Sequence, residues 1–163
     1  MNVDITYRTD VRLSDRDDVR QLVESTGFFS EAEVGIAVEL VEENLSKGLQ
    51  SGYLFLFGEL TGRIIGYTCF GPVPATMSSY DIYWLAVHID FRRLGIGKSL
   101  MVKTEEAIEK QGGQHIYIET SSRDQYRTTR MFHRACGYRK EAVLKDFYAP
   151  GDDKVIYVKA IRP

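Results

Sequence analysis

The run Trp84-Leu85-Ala86-Val87-His88-Ile89-Asp90-Phe91-Arg92-Arg93-Leu94-Gly95-Ile96-Gly97-Lys98-Ser99-Leu100 constrains this chain more than any other. An apolar strand pattern stops, a basic loop with two glycines follows, and a helical pattern begins. Leu100, Met101, Thr104, Ala107 and Ile108 recur on one side of that helix. The first turn of a helix carries N–H groups without intrahelical partners and the positive end of the backbone dipole, which together suit phosphate. Gly95 and Gly97 lack a Cβ, so the backbone can approach a pyrophosphate closely. Arg92, Arg93 and Lys98 add positive charge beside them.

Two familiar phosphate motifs fail on spacing. Gly97-Lys98-Ser99 has the ending of a nucleotide P-loop, but Arg92 stands where that motif needs its first glycine. A dinucleotide fingerprint needs a third glycine three residues beyond Gly97, where Leu100 stands.

The rest of the chain supplies a repeat-free set of short elements. Ile5–Arg8 reads as a strand. A helix follows Ser14, with Asp17 three residues on and Val19, Leu22 and Val23 at helical spacing, and Gly27 ends it. Ser30 and Glu33 form a capping-box pattern opening a second helix, which Gly48 stops. Tyr53–Glu59 and Arg63–Phe70, joined by a turn at Leu60-Thr61-Gly62, suggest a hairpin. Asp81–Val87 is a further strand, Lys98–Gln111 a helix, His115–Thr120 a strand and Tyr126–Ala135 a helix. Tyr138–Lys145 and Lys154–Ala160 are the last two strands. The expected fold is α/β, a central mixed sheet of about seven strands flanked by about four helices, in the order β-α-α-β-β-β-α-β-α-β-β. A length of 163 residues, 44% hydrophobic and 27% charged, fits a single folded domain over 1–163.

Arg92-Arg93-Leu94-Gly95-Ile96-Gly97 matches [QR]-x-x-G-x-[GA], and the chain thereby resembles the GNAT superfamily of N-acetyltransferases, whose loop holds the pyrophosphate of acetyl-CoA. Phe132-His133-Arg134-Ala135-Cys136-Gly137-Tyr138 resembles that family's F-Y-x-x-x-G-[FY] segment, and the element order agrees over nearly the whole chain. The resemblance implies acetyl transfer from acetyl-CoA, with no metal. Backbone groups of Leu85, Ala86 and Val87 would pair with the pantetheine. Arg92, Arg93, Leu94, Gly95, Ile96, Gly97, Lys98 and Ser99 would take the pyrophosphate, with Thr129 and Phe132 as further cofactor contacts. For Arg92, Arg93 and Lys98 singly, a solvated surface charge is the alternative.

Acetylating an amine also needs a base, because a free alkylamine is protonated near neutral pH. The family often places a carboxylate early on the strand before the loop, where Asp81 stands; a solvent-facing strand-start Asp is the bland alternative. Glu119 is the rival base. The departing thiolate needs a proton, which the family takes from the Tyr of its second motif. Here His133 occupies that position, either as its substitute or as a surface histidine, with Tyr126 or Tyr138 as other donors. Tyr126 also replaces a common Asn, and Thr129 a common Ala. Phe28 and Phe29, between the first two helices, are acceptor contacts or core anchors. The adjacent Asp152 and Asp153 attract a cation or are merely solvated.

Three activities stay open: acetylation of a small amine or amino acid, acetylation of a protein N-terminus or lysine, and a non-catalytic CoA-binding module. A net charge of −2 without a basic block gives no footprint for nucleic acid or an anionic membrane surface. Met1-Asn2-Val3-Asp4 lacks the pattern of a secretory leader, and Cys69 and Cys136 read as reduced, buried thiols. A cytoplasmic protein is expected. Because the family often dimerises through its late strands, a homodimer is left open.

Overall fold

A computed structural model describes residues 4–161. Residues 1–3, part of the Met1–Asp4 segment without a leader pattern, lie outside the described residues. The elements run β1 (Thr6–Arg8), α1 (Asp15–Ser25), α2 (Glu31–Lys47), β2 (Leu54–Leu60), β3 (Arg63–Pro72), β4 (Ser79–Val87), α3 (Ile96–Lys110), β5 (His115–Ser121), α4 (Arg127–Ala135), β6 (Arg139–Ala149) and β7 (Asp152–Ala160). Single 3-10 turns occupy Gly48–Ser51, Ile89–Phe91 and Asp124–Tyr126. The strands make a mixed seven-stranded sheet in the order β1-β2-β3-β4-β5-β7-β6. The α/β class, the four helices and the order of elements are as the sequence pattern implies.

The chain clusters into two compact units: residues up to Gly71 with Trp84–Thr104, and Pro72–Tyr83 with Glu105 onward. In the first, β1–β2 and β2–β3 are antiparallel, with a register shift at Gly58/Glu59. The β2–β3 turn puts Thr61 and Gly62 at φ of 50° and 80°, the paired positive values of a tight hairpin whose twist matches its strands. The helical spacing of Val19, Leu22 and Val23 and of Val34, Ala37 and Val41 turns α1 and α2 onto Phe55, Phe57, Tyr67 and Cys69.

The expected capping box at Ser30 is present, with Ser30 Oγ accepting from Glu33 N at 3.2 Å and Glu33 Oε2 from Ser30 N at 2.7 Å. At α1 the cap differs from expectation. Ser14 has helical dihedrals and makes no side-chain cap. Its neighbour Asp15, fully buried, instead accepts from Arg12 N at 2.7 Å and from both Nη atoms of Arg8. Burial opposes the Arg8 charge, but hydrogen bonds to Asp15 and Glu59 outweigh it and raise the guanidinium's pKa. Asp15 was hidden in the sequence because Arg8 lies on β1, outside helical spacing.

In the second unit β4 and β5 pair in parallel over Ser79–Asp81 and His115–Tyr117, leaving Ile82 and Tyr83 beyond that ladder. β5–β7 and β6–β7 are antiparallel. The two-residue alternation of β5 buries Ile116 and Ile118 and turns Tyr117 and Glu119 the other way.

Candidate active site

In the first unit, β4 delivers the chain to the basic loop. His88 N donates to Ile65 O at 2.8 Å, and Ile89 N to Ser25 Oγ at 3.3 Å, so the loop leaves from a fixed point. Arg93 and Gly95 then take φ of 63° and 77°. The Gly95 value is one that glycine reaches without steric cost. The first hydrogen bond of α3 runs from Ser99 N to Gly95 O at 3.1 Å. The N–H groups of Ile96, Gly97 and Lys98 belong to the opening turn, whose donors have no intrahelical acceptor. Ile96 and Leu100 anchor that turn in the core, while Arg93, Leu94, Gly95 and Lys98 are exposed. Ser99 is half-buried.

The three cations of this segment differ. Arg92 is tethered, donating to Thr26 O at 3.4 Å with its guanidinium 5.1 Å from the Phe28 ring centroid. Arg93 and Lys98 have no ion-pair partner among the described residues. Free helix N–H groups, a left-handed loop and two uncompensated cations fit a diphosphate. Leu85 and Val87 are half-buried and Ala86 is buried. Phe29 packs 4.8 Å from Trp84, whereas Phe28 stays partly exposed beneath Arg92, so the pair divides between core anchor and loop support.

Gly66 was missed by sequence reading. A Cβ there would lie 2.9 Å from Leu100 Cδ1 and 3.3 Å from Ala86 O and Ile96 Cγ2. Its absence lets the first turn of α3 lie directly on β3, and a buried Thr68–Thr104 hydrogen bond of 2.7 Å holds the next turn. A glycine inside an otherwise apolar strand is the signal that could have found it.

In the second unit, Asp81, Tyr117, Glu119 and Glu141 line a cavity of ≈ 460 Å³ together with Thr76 and Ser79. Glu119 is paired with Lys154 at 2.8 Å and Glu141 with Arg139 at 3.0 Å. Asp81 has no hydrogen-bond or ion-pair partner among the described residues. Burial pushes its pKa above the usual carboxylate range, Glu119 pushes it further, and Lys154 pulls it back. Lys154, whose ammonium lies 3.9 Å from the Phe147 ring centroid, is another residue that sequence reading did not assign to a site.

The residues expected to return a proton are separated by their surroundings. Tyr126 is half-buried at the start of α4, with Arg123 over its ring at 5.5 Å. Burial, with Glu119, Asp152 and Tyr126, raises the pKa of nearby Tyr148. His133 is buried rather than on the helix surface, with ring centroids 5.9 Å from Phe132, 6.4 Å from Tyr138 and 5.6 Å from Tyr157. Its Nδ1 has no partner among the described residues, and burial lowers its pKa to about 4. The Tyr138 hydroxyl donates to Glu105 at 3.1 Å, and burial raises its pKa. Thr129 and Phe132 are half-buried in α4. Asp152 and Asp153 are not free for a ligand: Asp152 accepts from Ser121 Oγ and pairs with Arg123, and Asp153 pairs with Lys145. No group of three or more His, Cys, Asp or Glu side chains among the described residues could hold a metal ion. No described helix is long and apolar enough to cross a membrane.

Comparison with known proteins gives concordant results. The acetyltransferase (GNAT) family model matches residues 18–138. An uncharacterized N-acetyltransferase of Methanocaldococcus jannaschii is 31% identical over 110 residues, 64% of this chain and 65% of that relative's length. A crystal structure of a GNAT-family protein from Desulfovibrio desulfuricans superposes with a TM-score of 0.96 at 40% identity, over 98% of this chain and 100% of the other. An aminoglycoside 6'-N-acetyltransferase complexed with coenzyme A shares the fold, with a TM-score of 0.76 at 17% identity over 98% of each chain.

Proposed function

The chain belongs to the acetyltransferase (GNAT) family, and from that premise we propose that it transfers the acetyl group of acetyl-CoA to a primary amine of a small molecule or amino acid. Both substrates are bound together and the amine attacks directly. Residues 1–163 are read as one acetyltransferase domain, supported by a family match that takes in segments of both compact units. A cytoplasmic site of action is supported by Cys69 and Cys136, neither of which is in a disulfide among the described residues.

Acetyl-CoA supplies an acyl carbon already activated as a thioester. The chain's own residues do the binding and the proton work. The N–H groups of Ile96, Gly97 and Lys98, with the side chains of Arg93 and Lys98, hold the diphosphate. Backbone groups of Leu85, Ala86 and Val87 serve the pantetheine amides. Arg92 keeps the loop in place through Thr26.

The observation that carries the catalytic reading is Asp81. Of the three carboxylates lining the cavity, Glu119 and Glu141 are paired with cations and Asp81 is not. The acceptor arrives as an ammonium, and Asp81 takes its proton directly or through a water. The freed lone pair forms the C–N bond as the C–S bond breaks; Tyr126 gives its hydroxyl proton to the departing sulfur and regains one from the new amide nitrogen, which sheds its second proton. The products are the acetamide and the free thiol. His133, neutral near pH 7, is not the donor in this scheme; it packs the base of α4.

The test is thiol release from acetyl-CoA against a panel of amines, in the wild type and two variants. Asp81→Asn is expected to lower kcat by about 10²–10⁴-fold, the usual worth of a positioned base, with acetyl-CoA affinity unchanged. Glu119→Gln is expected to keep most activity and to move the acid limb of the pH–rate profile to lower pH. It removes a charge that raises the Asp81 pKa and leaves Lys154 to lower it. Loss of activity in Glu119→Gln with retention in Asp81→Asn reverses the assignment.

A further inference from the structure

A second cavity in the Pro72–Tyr83/Glu105-onward unit, of ≈ 330 Å³, has the opposite charge. Arg130 and Arg134 of α4 and Lys140 and Lys145 of β6 line it, against one carboxylate, Asp153. Asp153 is already committed: Lys145 pairs with it at 3.1 Å and Asp146 N donates to it at 2.9 Å. Arg134 and Lys140 have no ion-pair partner among the described residues. Arg130 is fixed, with Nη1 donating to Ser121 O at 2.7 Å and to Arg123 O at 2.8 Å, so its planar fork is held in place before any ligand arrives.

Local structure accounts for only part of this accumulation: Arg134 lies in the last turn of α4, where the helix dipole favours a cation. Arg130 and Arg134 are four apart on one helix, a like-charge spacing that destabilises, and α4 has no acidic residue in its first turn. Composition does not account for the rest, since the chain as a whole carries a net charge of −2. The buried Val155 and Tyr157 give the cavity an apolar lining, and its volume lies at the small end of small-molecule sites.

We propose that the cavity between α4 and the β6–β7 hairpin is a second ligand site, one that takes a small multivalent anion, a phosphate ester or a dicarboxylate. The anion is held by the Arg130 fork and by Arg134 and Lys140, with its short apolar body against Val155 and Tyr157. The site stands independently of the acetyl-transfer reading, because none of these residues is used in it.

Calorimetric titration of the full chain tests the site, with inorganic phosphate in one arm and succinate in another at ionic strength fixed with sodium chloride. One saturable equivalent of at least one anion is expected, and the arm that binds more tightly identifies the anion chemistry. Arg134→Gln/Lys140→Gln, which changes only exposed side chains, should weaken that binding at least tenfold. Lys98→Gln should leave it unchanged. Binding that survives the double substitution, that is lost in Lys98→Gln, or that is matched by chloride alone overturns the proposal.

Discussion

The imidazole of His133 is buried and its Nδ1 has no partner among the described residues, so a positive charge on it loses most of its hydration and gains no counter-ion there. Its folded pKa of about 4 lies below the usual 6.5. Between those values the unfolded chain binds a proton that the folded chain refuses. His133 therefore adds no protonation-linked penalty above about pH 6.5, and it withdraws stability as the pH falls towards 4. Over that window the wild type is expected to lose about 3 kcal/mol more than His133→Phe, read from urea unfolding at successive pH values. Equal losses in the two proteins would mean that the ring has a partner or a hydrated position. At this scale the phosphate loop was legible in the sequence because its chemistry is local: glycines, cations and a helix start within a few residues. The environments of Asp81 and His133 were not, because a Lys on β7, a Glu on β5, a tyrosine just before β6 and another on β7 create them.

Helix α3 shows the same division between local and distant causes. Its apolar spacing announced the helix, although it begins at Ile96 rather than at Lys98. What brings it onto the sheet is Gly66 on β3, thirty or so residues earlier, where a Cβ would press on Leu100 and on the Ala86 carbonyl. Gly66→Ala is expected to cost about 1–3 kcal/mol, the range for overpacking, and to weaken acetyl-CoA binding because the first turn of α3 is displaced. Gly35→Ala, in α2, has nothing within 4 Å of its added Cβ and should instead gain about 0.5–1 kcal/mol from helix propensity. Thermal unfolding of the two variants checks the opposite signs. A gain at Gly66 would mean that α3 is not seated by close approach. The β6–β7 pair was also legible, but the reading stopped four residues short of Ala149, where Asp146 at φ of 52° and Gly151 at 79° turn the chain.

For the molecule as a whole, order of elements and family were the most legible features, since they depend on patterns that recur along the chain. Distribution of charge was the least legible. A net charge of −2 gave no sign that carboxylates gather around one cavity and cations around another. The central claim is that the β4–α3 segment binds acetyl-CoA, and thermal unfolding with acetyl-CoA or ATP measures it most directly. Acetyl-CoA at a hundredfold excess over its Kd is expected to stabilise the fold by about 2.7 kcal/mol, with ATP at the same concentration giving far less. Stabilisation by ATP with none from acetyl-CoA would contradict the account and return the segment to the nucleotide-binding loops that its spacing argued against.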